Sequence, residues 1–305
     1  MSTVMPRIHL GDWADNAVDW LENHWGGFFD GLASAINHPV DWIADGLLHT
    51  PVIVLIIAFA VIAWLARGWK LALATLIGFL LIDGFDQFAA ALNSLSQILV
   101  GSIIAIVISI PLGILAARSR RASTVIRPVL DFMQTLPAYV YILPGLFLMG
   151  IGAANAVIAT VIFAMPPGVR LTELGIRQVD QEMVEAGQAF GATPREVLRG
   201  IQMPLALPSI MAGVNQVIML ALSMVVIAGV AGAPGLGTNV FAALSRLDVG
   251  IGCEAGISVV ILAIFLDRVT DGLSKTDLGL VAEISRLRKQ LRPRPAVAVG
   301  SGSTH

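Results

Sequence analysis

Polar side chains set inside long apolar runs are the first residues of this sequence that need a chemical reason. Gln134, Thr135, Tyr139 and Tyr141 lie around Pro137 and Pro144 in one run, and Asn215, Gln216 and Ser223 accompany Met219 and Met224 in another. An amide or hydroxyl in an apolar setting costs free energy unless it meets a partner or water. Such groups therefore line a polar path or bond one helix to its neighbour. Both readings stay open for Gln134 and Asn215, and interhelical bonding is favoured for Ser223. The prolines free backbone carbonyls and soften a helix, which suits an element that rocks between two states.

Covalent chemistry finds no support. Neither His-Glu-x-x-His nor Gly-x-Ser-x-Gly occurs within an apolar run, and no Gly-Lys pair exists to build a phosphate-binding loop. His9, His24, His38 and His49 lack the two-His helical spacing beside carboxylates that a metal site needs. Cys253 is the one cysteine, so it forms no internal disulfide and reads as packing. Asp131 and Glu254 fall near the ends of apolar runs and Asp267 sits beside Arg268. None is placed like the mid-membrane ion relay of a secondary transporter, the main alternative class.

The elements that must hold these residues are membrane helices. Of 305 residues, 56% are hydrophobic and only 13% charged, against about 25% charge in an average soluble domain. The net charge of -2 leaves no overall basic field to recruit nucleic acid. A bilayer core needs roughly 17 to 25 mostly apolar residues per helix. Runs of this kind are Pro51 to Ala66, Ser94 to Ala117, Val129 to Met149, Ala153 to Val169, Leu205 to Val230 and Val249 to Leu266, with a shorter one at Trp69 to Ile82. This predicts an all-α integral membrane protein of about seven spans.

Charge in the connections tests that count, because cytoplasmic loops are enriched in Lys and Arg. With the N-terminus outside and the C-terminus inside, every Lys and Arg except Arg7 and Arg246 falls on the inner side. Removing the short second span would invert every later loop and destroy the pattern. Residues 1–50 carry seven acidic side chains against Arg7 and lack the basic start of a signal peptide. Within them Trp13, Ala17, Trp20, Phe28, Leu32 and Ile36 recur at near-helical steps, predicting an amphipathic helix lying flat with an acidic outer face. At the other end, Arg286, Arg288, Lys289, Arg292 and Arg294 read as a positive anchor to membrane lipid, and Ala296 to His305 as a disordered tail.

The inner segment Arg170 to Met203 is much longer than the other connections and polar throughout, and loops that long usually carry function. Asp180 or Glu182 to Leu198 reads as two short helices turning at Gly191. Thr193-Pro194-Arg195-Glu196 supplies an N-cap, a first-position proline and an acidic first turn for the second. The small residues Ala186, Gly187 and Ala189 permit close approach to another protein.

The written pattern is Glu185-Ala186-Gly187, three residues, Gly191, nine residues, Ile201, one residue, Met203-Pro204. It resembles the cytoplasmic loop signature of ABC importer permeases, Glu-Ala-Ala with a downstream Gly, Ile and Leu-Pro, with Gly187 and Met203 as substitutions. The resemblance runs from about Asn93 to Arg268. The strings Ile110 to Arg118, Arg127 to Ala138 and Leu205 to Gln216 are similar to permeases of the glycine betaine and proline type. It implies a type I importer permease architecture, a homodimer of this chain, an ATP-binding cassette subunit docked on the loop, and an extracytoplasmic substrate-binding protein. ATP and Mg would be used by the partner subunit, with no cofactor on this chain and localisation to the bacterial inner membrane.

By the same resemblance, Glu185, Ala186, Gly187, Gly191, Ile201 and Pro204 couple to the ATPase. Gln134, Thr135, Tyr139, Asn215 and Gln216 are the candidate translocation pathway. The organisation that follows is an outer segment at 1–50, two accessory spans at 51–92, a permease core at 93–270 with its coupling loop at 170–203, and an inner tail at 271–305. Quaternary ammonium is usually held in an aromatic cage, each ring worth about 0.5 to 2 kcal/mol. Tyr139 and Tyr141 cannot both face one cavity on a regular helix, so high-affinity recognition is expected on the binding protein.

Overall fold

A computed structural model describes residues 10–274 and contains twelve α-helices, with no strand among the described residues. Helix α1 (Leu10–Leu48) is followed by α2 (Val52–Arg67) and α3 (Trp69–Gly84), which are joined through Gly68 alone. Gly68 stands at φ 90°, a conformation that a side chain resists, and this makes the tight hairpin possible. Next come α4 (Phe88–Arg118), α5 (Arg120–Thr135), α6 (Ala138–Met149) and α7 (Ala153–Arg177). Two short helices, α8 (Gln181–Ala189) and α9 (Pro194–Val197), lead through a π turn at Leu198–Gln202 into α10 (Met203–Ala228), and α11 (Leu236–Arg246) and α12 (Val249–Ser274) complete the bundle.

Helix α7 packs between α4 and α10. Small residues permit that crossing: a Cβ on Gly113 would stand 2.5 Å from Thr172 Cβ, and one on Gly168 would stand 2.5 Å from Ser109 Oγ. On the far side of α4, α2, α3 and α12 join the same apolar core, where the rings of Phe79 and Phe265 meet edge to face at 5.2 Å. The segment at 51–92 is thus built into the bundle. The turn after α10 is fastened to α4, where Ser94 Oγ accepts from the Leu236 N–H at 2.9 Å and Gln97 donates to the Pro234 carbonyl. Gly232 and Gly235 stand at φ 77° and 140° in this turn, and Gly237 lies in the first turn of α11.

Helix α1 forms where the aromatic periodicity predicted it. Its second half buries Ile36 and Val40 against Val100 of α4 and Ala153, Ala154 and Val157 of α7, whereas Trp13, Trp20, Trp25 and Phe28 remain exposed. Arg7 and His9, the basic stretch 285–294 and the tail 296–305 lie outside the described residues.

One expectation about the spans is corrected. The run Val129 to Met149 is not one helix: Leu136 is extended at ψ 136°, and α5 and α6 meet at 94°. Pro137 is the cause, because its ring disfavours the helical region for the residue before it. Among the described residues, four helices are long and apolar enough to cross a membrane alone, or up to six if each bent pair is one span. Helices α2 and α3 occupy the predicted runs, but at 16 residues each they reach only about 24 Å at 1.5 Å per residue. Cys253 is exposed on α12.

Candidate coupling loop and polar cleft

The α8–α9 loop is built by local capping. Asp180 Oδ1 accepts from the Glu182 N–H at 3.0 Å and starts α8. Gly191 turns the chain at φ 85°, with the Ala192 N–H closing onto the Gly187 carbonyl at 3.1 Å. Thr193 and Glu196 then cap α9 reciprocally, the Thr193 N–H donating to Glu196 Oε2 at 2.7 Å and the Glu196 N–H to Thr193 Oγ at 3.4 Å. The hydrogen bonds from the Thr193 backbone and side chain hold the Glu196 carboxyl below the usual carboxylate range.

This loop presents an unpartnered surface. Helix α8 has no buried residue, and Glu185, Ala186 and Gly191 are exposed. Phe190, at the end of α8, is 93% exposed. Its signal in the sequence is a large aromatic directly before the turn glycine of a polar loop. Gly187 has a contact within the chain. It faces the half-buried Ile201, whose Cδ1 would lie 2.5 Å from a Cβ at 187, so this glycine permits packing within the chain. Pro204 is exposed in the first turn of α10. The preceding π turn, in which the Met203 N–H reaches the Leu198 carbonyl, carries α9 into α10 without a break.

Beside the bundle lies a cleft of about 600 Å³ lined by Pro208, Met211, Ala212, Asn215, Gln216 and Met219 of α10, with Asp271 of α12. The α10 positions recur at helical spacing and form one face of the helix. Asn215 does both things its residue type allows: it lines the cleft and accepts a hydrogen bond from Thr270 Oγ of α12. Gln216 lines the cleft and is exposed.

The other expected pathway residues are not brought to this cleft. Gln134, Thr135 and Tyr139 stand exposed at the α5–α6 bend, where Thr135 Oγ bonds the Phe132 carbonyl at 2.9 Å. Tyr141 turns the other way, donating to the Met133 carbonyl and packing near Phe163, so the two tyrosines do not share a cavity. Ser223 bonds the Met219 carbonyl of its own helix at 3.1 Å, not a neighbouring helix.

A buried carboxylate escaped the sequence reading. Glu173 is 3% exposed near the end of α7. It accepts from Ser123 Oγ at 2.8 Å and from Arg127 at 3.0 Å, both on α5, and pairs with Arg177 at 3.0 Å. Arg177 also donates to the Ala116 carbonyl on α4 at 2.8 Å. The available signal was Glu173 four residues before Arg177, one helical turn away. Among the described residues no group of three or more His, Cys, Asp or Glu could hold a metal ion.

Residues 109–275 match the family described as "Binding-protein-dependent transport system inner membrane component". The chain is 49% identical over 269 residues to the glycine betaine transport system permease protein OpuAB of Bacillus subtilis, covering 88% of this chain and 95% of that one. It is 46% identical to the glycine betaine/proline betaine transport system permease protein ProW of Escherichia coli, covering 88% of this chain and 76% of that one. A chain of the MetNI methionine ABC transporter in an inward-facing conformation shares the fold, with a TM-score of 0.57 at 19% identity over 62% of this chain and 94% of that one.

Proposed function

Because the chain belongs to the family of inner membrane components of binding-protein-dependent transport systems, we propose that it is the permease of an ATP-driven importer of glycine betaine or a related compatible solute such as proline betaine, choline or proline. The observation that carries this reading is the unpartnered α8–α9 turn, with Glu185, Ala186, Phe190 and Gly191 exposed on a segment continuous with the cleft-lining α10. A surface with an exposed aromatic beside small residues has the composition of a docking site. Its occupant is the ATP-binding cassette subunit, which uses ATP and Mg. This chain is a transport subunit, binds no cofactor, and borrows hydrolysis from that partner.

The solute class is supported by the substrates in the names of OpuAB and ProW. A second copy of this chain faces the cleft, and Asn215 and Gln216 contribute to a path that alternates in access. An extracytoplasmic binding protein delivers the solute on the side opposite the α8–α9 turn. The distribution of Lys and Arg supports seven crossings in a type I arrangement of a bacterial inner membrane, with the N-terminus outside and the C-terminus inside.

The test is uptake of labelled glycine betaine into vesicles holding this chain with its ATPase and binding protein, with choline and proline as competitors. Saturable ATP-dependent uptake is expected. ATP-dependent function without betaine uptake would discard the solute, and uptake persisting without the ATPase would discard the importer.

A further inference from the structure

Helix α5 buries little against the bundle, and its other charged tie to α7, the Asp131–Arg170 ion pair, stands exposed. Its buried residues are Ser123 and Leu130, and Ser123 is one of the donors to Glu173. The other α5 donor, Arg127, reaches the same carboxylate oxygen. A carboxylate taken out of water is tolerated only when its partners are in place, so these contacts resist being opened. Glu173 therefore fastens α5 to α7 near the point where α7 leads into the loop.

The same network faces the loop. Arg177, paired with Glu173, lines a groove that also contains Glu185 and Gln188 of α8. In the other direction, α5 runs to the bend at Leu136 and Pro137, where Tyr141 of α6 donates back to the Met133 carbonyl of α5. Direct contacts thus run from Arg177 through Glu173 and Arg127 to α5 and α6, and α8 shares a groove with Arg177.

We propose that Glu173 is a positioning residue that locks α5 to α7, so that displacement of the α8–α9 turn reaches the α5–α6 bend as one movement. The inference rests on the importer reading and adds the route by which force crosses this chain.

The assembly for the test is the full chain with its ATPase and binding protein in proteoliposomes, with hydrolysis and uptake measured separately. Glu173→Gln and Arg127→Gln should leave binding-protein-stimulated hydrolysis within about twofold while uptake per ATP falls about tenfold, and Arg127→Lys should restore most of it. Arg127 is more than half exposed, so its variants carry the test if Glu173→Gln does not fold. Spin labels at Thr124→Cys and Gln178→Cys, in a Cys253→Ala background, supply a readout that does not depend on transport. Their separation should stay constant between nucleotide-free and ATP-trapped states, and should spread in Glu173→Gln. Hydrolysis and uptake falling in parallel, neither changing, or a label distance that shifts in the unmutated tie would overturn the proposal. Absence of ATP-driven uptake from the unmodified assembly would instead overturn the importer reading.

Discussion

Asn215 of α10 accepts a hydrogen bond from Thr270 of α12 while lining the cleft, so a polar group on the cleft wall is also one that holds two helices together. The Thr270 hydroxyl lies within reach of the Leu266 carbonyl as well, at 2.7 Å, and keeps an acceptor if Asn215 is removed. Asn215→Ala and Thr270→Val should each cost about 1 kcal/mol of stability, the usual net worth of one such bond. They should differ in transport. Asn215→Ala is expected to raise the KM for uptake severalfold, and Thr270→Val to leave it within about twofold, because only the first removes a group from the cleft wall. Equal KM changes would remove Asn215 from the pathway.

Phe190 separates docking from folding. At 93% exposure it contributes almost nothing to the isolated chain, so Phe190→Ala should leave thermal unfolding unchanged. If it is an anchor at the ATPase surface, its loss should weaken association by about 2 kcal/mol, roughly thirtyfold. Binding of the purified ATPase to the permease, compared with the melting temperature of the permease, checks both halves. Unchanged affinity would place the contact elsewhere on the loop.

Which parts of this architecture were readable from sequence follows from how local each cause is. The α8–α9 boundaries were legible because Asp180, Thr193, Pro194 and Glu196 cap through neighbours at most three residues away. The break at Leu136 was also local, but counting apolar residues across Pro137 hid it, and the pre-proline restriction was the correct guide. Glu173 was not legible because Ser123 and Arg127 meet it from another helix, and only the fold brings them there. The cleft was half legible: Asn215 and Gln216 drew attention as polar groups in an apolar run, whereas Asp271 reaches it from α12. The inward contact of Gly187 was not legible, because small size fits both a docking surface and a close internal approach, and only the fold brings Ile201 there.

The α9 cap should respond to acid. Hydrogen bonds from Thr193 lower the Glu196 carboxyl relative to its usual value of 4.5, and this charge lies before the apolar part of α10. A carboxylate with a depressed folded pKa contributes stability above its unfolded pKa and loses it as pH falls through the folded value. The cap therefore weakens only below about pH 4.5 and is intact at neutral pH. Hydrogen exchange at residues 193–197, corrected for the intrinsic pH dependence, should show protection lost over that acid range. Glu196→Gln should abolish the pH response of the cap, and a persistent response would assign it to another group.

Gly187 and Ile201 form a pair whose sizes trade against each other. A Cβ at 187 would press on the Ile201 Cδ1 at 2.5 Å, but that atom ends a flexible side chain and can rotate away. Gly187→Ala should therefore be tolerated, its helix-propensity gain of up to about 1 kcal/mol offset by the repacking it forces. Gly187→Val brings a branched side chain and should cost about 1 to 3 kcal/mol. Ile201→Val removes the clashing atom, so Gly187→Ala combined with Ile201→Val should be more stable than the sum of the single changes by at least about 0.5 kcal/mol. Chemical denaturation of the four proteins measures the coupling. Strict additivity would show that the two residues do not touch.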